Sequence, residues 1–322
     1  MDPLSDVMSL LKPRSYMSGG FDVGGEWSVL FPQHQGIKCY AVVSGQFWLA
    51  VEGVSETVLL QAGDCFVLPR GWAFRLATDL ALTPVDVSTI LPAKRNGTIR
   101  TYNGGGSCLT VGGHFTFAGS HASILLGVLP PIVHIRKESD RAAMRWCLER
   151  MRQELYEPQP GSFLVAQQLA YMMLVQALRL HLAEGSRGGV GWLFALADKQ
   201  MSAAISAMHD DPAHRWTIQE LAERVGMSRS TFALRFKETV GKSPMEYLTR
   251  WRMLLAGDRL TSSDDPISAI ALSLGYESES AFSTAFKRIM GCSPRQYSRG
   301  RSPASHNPEK IVHTDQLEAV AG

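Results

Sequence analysis

Phe236-Lys237-Glu238-Thr239-Val240-Gly241-Lys242-Ser243-Pro244-Met245-Glu246-Tyr247 comes back as Phe286-Lys287-Arg288-Ile289-Met290-Gly291-Cys292-Ser293-Pro294-Arg295-Gln296-Tyr297, so F-K-x-x-x-G-x-S-P-x-x-Y is written twice in one chain. The same apolar spacing precedes each copy: Ile218, Leu221, Ala222 and Val225, then Ile267, Ile270, Ala271 and Leu274. That spacing is one face of a short helix, and a glycine follows each, Gly226 and Gly275. A helix, a tight glycine turn and a second helix make the helix-turn-helix arrangement, whose second helix enters the DNA major groove. Two units are too few for a solenoid, which needs at least three repeats. The pair reads as a double DNA reader.

The helix starts carry matching caps. Thr217 with Glu220, Ser243 with Glu246 and Ser293 with Gln296 are capping boxes, and Pro244 and Pro294 take the first helical position, where a missing N–H costs nothing. Asp265-Pro266 is expected to open the second unit in the same way, and Ser228 and Ser278 stand where the recognition helices begin. In the first reader Phe232, Phe236 and Val240 face inward, leaving Arg229, Ser230, Thr231, Ala233, Leu234 and Lys237 outward. In the second Phe282, Phe286 and Ile289 face inward, and Glu279, Ser280, Ser283, Thr284, Lys287 and Arg288 outward. Arg229 suits a guanine edge or a phosphate, Glu279 a cytosine amine, and Ser280 and Thr284 base edges or a thymine methyl. Lys237, Lys287 and Arg288, near helix ends, suit phosphates, which fix register and supply salt-dependent affinity.

Between the units, Tyr247, Leu248, Trp251, Leu254 and Leu255 lie on one stripe, so Pro244 to Leu260 is expected to be one helix. At ~1.5 Å per residue it spans roughly 25 Å, enough to hold two readers about one DNA turn (~34 Å) apart when the DNA bends to fit. Arg250, Arg252 and Arg259 lie on or beside it, and residues 224 to 259 carry eight Lys/Arg against three Asp/Glu in a chain whose net charge is only +2. Positive charge concentrated this way is a nucleic-acid footprint.

Residues 192 to 297 resemble the DNA-binding domain of AraC/XylS-type bacterial transcription regulators, on the doubled motif and its helix pattern. The resemblance implies seven helices with the third and sixth as readers, which carries base-facing positions onto Arg229, Ser230, Ala233 and Leu234 and onto Glu279, Ser280 and Thr284. Leu234 departs from the pattern, since several relatives have arginine there; leucine cannot donate, which shifts first-unit readout toward Arg229 and methyl contact.

Upstream, the period falls to two. Trp27 to Phe31, Ile37 to Val43, Gln46 to Val51, Glu56 to Leu60, Asp64 to Leu68, Val85 to Leu91, Thr98 to Tyr102 and Cys108 to Phe117 are short β-rich runs between glycine and proline turns. They predict an antiparallel barrel or jelly roll, making the chain α+β: a β-barrel with flanking helices, then an all-α domain. Gly63 to Phe74 resembles the second cupin motif, G-x5-P-x-G-x2-H, with Phe74 where cupin metalloenzymes place histidine. An H-x-H pair and its glutamate are also missing around Lys38 to Gly45, so no metal or other cofactor is expected and ligand binding is favoured over catalysis. The N-terminal half is similar to the cupin-type sensor of one branch of AraC/XylS-like regulators. Trp27, Tyr40, Trp48, Phe66, Trp72 and Phe74, with Phe31, either line a pocket for a small apolar or aromatic effector or form the barrel's own core. Arg70 and Arg75 are candidates to orient an anionic group, and His34, His114 and His121 read as surface or hydrogen-bonded core residues. A thiol site from Cys39, Cys65 and Cys108 needs a closeness that spacing does not show.

Residues 2 to 12 are expected to be an amphipathic helix, and helical period returns from Ile132, with helices over Ala142 to Leu155 and Ser162 to Leu182. The stripe Leu164, Gln168, Tyr171, Leu174, Val175, Leu178 and Leu182 is wider than one partner needs, which leaves both packing on the barrel and a homodimer interface open. Residues 1–184 form the expected sensor, 185–191 a linker, 192–300 the DNA domain, opened by a helix from Trp192 to His209, and 301–322 a disordered tail. Five cysteines without C-x-x-C spacing, no signal peptide and no run of 18 apolar residues point to a reduced cytoplasmic protein that does not span a membrane. Double-stranded operator DNA, a small effector and RNA polymerase are the partners this predicts, with activation the sign the resemblance implies. An enzyme tethered to DNA and a constitutive DNA-binding repressor with a vestigial barrel are the alternatives.

Overall fold

The computed structural model describes residues 2–11, 14–90, 98–117, 129–135, 138–184 and 190–300; His121, most of the expected linker and the whole tail lie outside them. Strands β1 (Arg14–Val23), β3 (Ile37–Ser44), β6 (Cys65–Leu68), β9 (Ile99–Tyr102), β10 (Cys108–Thr116) and β11 (Val133–Ile135) form a sheet in the order β11-β6-β3-β10-β1-β9. The other strands, β2 (Ser28–Phe31), β4 (Gln46–Val51), β5 (Val58–Gln61), β7 (Phe74–Ala77) and β8 (Val85–Asp86), form a second in the order β5-β4-β7-β2-β8.

The two sheets do not close into the expected barrel. Among the described residues β9, β11, β5 and β8 are sheet edges, and the pairs β1/β9 and β2/β8 are parallel, so neither sheet is wholly antiparallel. Three strands, β1, β7 and β11, come where no strand was expected. In β1, a side chain at Gly19 would strike the Thr98 carbonyl oxygen at 2.8 Å and one at Gly20 the Thr110 carbonyl oxygen at 2.9 Å. Glycine there admits neighbouring strands, a long-range requirement that imitates a turn signal. Of the strand expected over Val85 to Leu91, the described residues 85–90 form a short bridge, β8, that turns into the helical turn α2 (Val87–Ile90).

Strand alternation sorts the first sheet into two faces. Tyr40, Val42, Phe66 and Leu68 face the second sheet, in a cluster with Trp27, Phe47 and Leu49. Cys39, Ala41, Cys65 and Val67 face helices α3 (Glu138–Tyr156) and α4 (Ser162–Glu184). Because β6 is covered on both sides, its sequence is a continuous apolar run. Cys108 lies in the inter-sheet cluster, across the sheet from Cys39 and Cys65, so the three thiols are not brought together. On α4 the sheet-facing residues are Ala166, Leu169, Ala170, Met173, Leu174, Ala177 and Leu178, while Leu164 is 64% exposed. The expected stripe is therefore rotated about the helix: small residues take the close approach to the sheet and leave larger ones outside. By length and composition alone the 162–183 stretch would suffice to cross a membrane, but its packed face belongs to this core.

The C-terminal part contains α5 (Trp192–Ala195), α6 (Lys199–Asp210), α7 (Ile218–Arg224), α8 (Arg229–Val240), α9 (Pro244–Ser262), α10 (Ile267–Ser273), α11 (Glu279–Met290) and α12 (Pro294–Ser298). The single helix expected from Trp192 to His209 is broken, because the Asp198 side chain accepts from the Gln200 and Met201 N–H groups and starts α6 afresh. Counted from α6, the described residues form seven helices, of which α8 is the third and α11 the sixth. α1 (Pro3–Leu11) leaves the sandwich to pack on α6 and α9. As a result one apolar core runs from α1 and the helix side of the first sheet into the first helix-turn-helix unit, through Trp192, Met208, Phe236 and Trp251. The second unit has its own core of Met253, Ala256, Leu260, Ile270, Phe282, Phe286 and Tyr297.

Candidate nucleic-acid interface

Both units turn by the same device. Gly226 and Gly275 adopt φ +68° and +79°. The N–H of the residue after each, Met227 and Tyr276, donates back to Ala222 and Ala271, and the glycine N–H donates to Glu223 and Leu272. This is a Schellman closure, which satisfies two helix-end carbonyls and needs a left-handed residue. Ser228 and Ser278 then cap α8 and α11 by accepting from Thr231 and Ala281 N–H, and left-handed Gly241 and Gly291 end them. The boxes at Thr217 and Ser293 are complete. At Ser243 only the serine half forms, since Glu246 turns to Lys242 and Arg250 at 3.5 and 4.0 Å. Pro266 is itself the cap residue of α10, without a side-chain hydrogen bond, rather than its first helical residue.

Phe232, Phe236 and Val240 are buried in α8 and Phe282, Phe286 and Met290 in α11; Ile289 is only half-buried, Met290 completing the four-residue spacing instead. The opposite faces are open. Arg229, Ser230, Thr231, Leu234 and Lys237 are exposed with Ala233 half-buried, and Glu279, Ser280, Thr284, Lys287 and Arg288 are exposed with Ser283 half-buried. Leu234, at 60% exposure, is an apolar side chain on an otherwise polar face. Thr231 shares a 2.8 Å hydroxyl contact with the Ser228 cap, and the Thr284 hydroxyl donates to the Ser280 carbonyl at 3.0 Å. Glu279 has Arg295 at 3.9 Å, a contact open to water that a base can displace.

The arginines of α9 divide by task in a way that charge counting does not show. Arg252 donates to the Pro212 and His214 carbonyls at 2.6 and 2.8 Å and lies over the Tyr276 ring, binding the entry to the first unit to the turn of the second. Arg259 donates to Ser273 of α10. Arg215 meets Glu277 at 2.5 Å, a further tie between units. Trp251 and Leu254 of α9 enter the first core and Met253, Ala256 and Leu260 the second, so one helix is shared by both units.

His209 joins α1 of the N-terminal part to this assembly. Nδ1 lies 3.2 Å from Asp6 of α1 and Nε2 2.8 Å from the Tyr247 hydroxyl, while the ring stacks on Trp251 with centroids 3.7 Å apart. Burial pushes its pKa down to about 3. The ring is therefore neutral, donating through Nδ1–H to Asp6 and accepting from Tyr247 at Nε2. Tyr247, the last residue of the first repeated motif, also meets Phe236 of α8 edge-on at 5.8 Å.

In the sandwich, Trp27, Phe66 and Phe74 are buried in the inter-sheet cluster, with Tyr40 and Trp72 packed at its margin. Trp48 is half-buried on the other side of β4 from Phe47 and Leu49 and is not brought to them. Arg70 donates to the Leu129 carbonyl and stacks over Trp72, and Arg75 donates to Ser28 and Leu82, so both guanidiniums are engaged by the fold itself. Phe74 stacks on Phe31 at 4.6 Å, and the Lys38 ammonium lies over both rings. With a phenyl ring at the motif's ligand position and an ammonium beside it, the donor set does not fit a divalent metal. Sequence reading gave no role to Lys38 or His209 and counted Arg252 with the nucleic-acid charge rather than as a tie between units. An isolated lysine at the head of β3 was a legible signal for the first; the other two depend on contacts across 203 and 40 positions of chain.

A sandwich domain joined to two helix-turn-helix units whose second helices have open outer faces is the architecture of a DNA-binding regulator. A family model described as a cupin matches residues 2–183 and one described as a helix-turn-helix domain matches 221–300. The chain is 43% identical to an AraC-like transcription regulator of Streptomyces antibioticus, over 94% of its own length and 100% of the relative's. It is 30% identical to the HTH-type transcriptional regulator AlkR of Acinetobacter baylyi, over 85% and 91%. The DNA-binding domain of AdpA, solved in complex with a target DNA, is 30% identical over 30% of this chain and 87% of that one, with a TM-score of 0.29. The chain belongs to the AraC-like transcription regulators, and it is a DNA-binding transcription factor.

Proposed function

We propose that the chain is a ligand-responsive activator whose helices α8 and α11 read successive major grooves on one face of the duplex. The observation that carries this is the pair of readers with matching caps and open faces, held on one shared helix and cross-tied by Arg252 and Arg215. Arg229 and Glu279 are the main base readers, joined by Ser230, Thr231, Ala233, Leu234, Ser280, Ser283 and Thr284, and Lys237, Lys287 and Arg288 position the backbone. The effector site is at the aromatic end of the sandwich, and its signal passes through α1 to His209 and Tyr247. RNA polymerase is the partner that activation implies, and the cytoplasm the compartment. A homodimer is supported by the exposed apolar residues Trp146, Phe163, Leu164 and Met172 on α3 and α4. Burial of Trp27, Phe66 and Phe74 favours a second reading, a constitutive DNA-binding protein with a filled sensor.

The test is binding of the full-length protein to its own upstream DNA across salt concentration, beside Arg229→Ala and Glu279→Ala. Loss of discrimination between sequences with retained salt-dependent association supports the two readers. Unchanged discrimination in both variants rejects the assigned faces.

A further inference from the structure

Arg235 of α8 belongs neither to the packed Phe232/Phe236 face nor to the outer face described above. Its guanidinium reaches back to the start of α6, where Nη2 donates to Asp198 Oδ2 at 2.5 Å and Nη1 to Gln200 Oε1 at 3.1 Å. Both acceptors are themselves held. Asp198 Oδ1 caps α6 by accepting from the Gln200 and Met201 N–H groups at 2.9 and 3.1 Å, and the Gln200 amide donates to the Val225 carbonyl at 2.8 Å. Val225 closes α7, so Gln200 touches both helices of the first unit and sets one against the other. A second tie lies at the far end of α8. The Gly191 N–H donates to the Thr239 carbonyl at 2.8 Å, and a side chain at Gly241 would meet Val190 Cγ1 at 3.0 Å. Between the two ties α5 packs on α8.

The Asp198 and Arg235 side chains are 21% and 45% exposed, so as a source of stability their ion pair is worth little. Its effect is geometric: a planar fork gripping two fixed acceptors, together with the tie at Thr239, removes the rotation about the helix axis that a single contact would leave. The repeat places Ala285 where the first unit has Arg235, and a methyl group can make no such grip on α11. We infer that Asp198, Gln200 and Arg235 are a positioning latch that sets the pose of α8, so that the stretch 190–200, by which the chain enters its DNA-binding part, governs reading of one half-site and leaves the other to α11. Movement of residues 190 and 191 would reach the first reader directly, through Thr239 and Gly241. This inference rests on the two-reader assignment above and adds to it residues that touch no DNA.

The experiment is selection of binding sites from randomised DNA by the full-length protein and by Arg235→Met, Asp198→Asn and the double variant, with Arg229→Ala and Glu279→Ala marking the half-sites of α8 and α11. Asparagine keeps the oxygen that caps α6 and gives up the charge. Expected is a loss of about tenfold in base preference within the half marked by Arg229→Ala, near the lower end of what one base contact is worth. Preference in the other half and the salt slope should stay as they are, since no phosphate contact is lost. The double variant should match the worse single, as the two ends of one pair do, and Arg235→Lys should recover part of the preference. A merely stabilising pair would lower the melting temperature and leave base preference alone. That result overturns the latch, as does equal relaxation of both halves, or a salt slope lower by about 1, which would make Arg235 a phosphate contact. If Arg229→Ala and Glu279→Ala relax no position, the reader assignment fails by itself, and hydrogen exchange in the free protein decides the latch. Arg235→Met should then speed exchange over 229–240 and leave 279–290 unchanged; equal changes in the two helices overturn it.

Discussion

His209 shows how one buried side chain can tie the N-terminal helix α1 to the first helix-turn-helix unit and make the tie depend on pH. Its pKa is near 3 in the folded protein against an ordinary 6.5, so below about pH 6.5 the unfolded chain binds a proton that the folded one does not. Its contribution is therefore intact above pH 6.5 and is lost as pH falls toward 3. Melting temperature should drop over that range, and His209→Gln should flatten the drop; an identical slope in the variant would remove His209 as the cause. At the readers, Arg229→Ala should cost about 1–3 kcal/mol of discrimination at one base pair. Lys287→Ala should instead weaken all sequences alike and lower the salt slope by about 1. Arg252→Met should leave the Pro212 and His214 carbonyls without their donors, costing about 1–3 kcal/mol in chemical denaturation.

The paired turns are equivalent as local structure and differ in surroundings. Gly226 has open space where a side chain would go, whereas one at Gly275 would meet the Ala213 carbonyl oxygen at 2.2 Å. Gly226→Ala should cost about 1–2 kcal/mol, the strain of a left-handed residue with a side chain. Gly275→Ala should cost clearly more, because backbone must move and the Arg252 clamp with it; equal melting temperatures for the two variants would contradict this. The same contrast governs what sequence reveals about elements. Caps and turns at 217, 228, 278 and 293 were legible because serine, threonine and glycine act on their neighbours in the chain. Asp198 was legible in principle as a cap, but an apolar pattern continuing through it concealed the break between α5 and α6.

In the whole molecule, the sandwich domain and the first helix-turn-helix unit share a core and the second unit does not. Leu11→Ala, at a fully buried position of α1, should cost about 2–5 kcal/mol. By hydrogen exchange it should lower protection in α8 before α11; equal loss in both would contradict the division. Leu164→Asp on the open side of α4 should shift sedimentation toward monomer if that face joins two copies. By itself the sequence determined the two helix-turn-helix units, which residues of their second helices face outward and a β-rich partner domain, because periodicity and capping are short-range and each repeat supports the other. Only the tertiary structure decided that the sandwich stays open, that α1 docks on α6 and α9, that Arg252 is a clamp and that Lys38 is buried against Phe31 and Phe74. Those outcomes depend on which distant segments exclude water from one another, a property that no local period records.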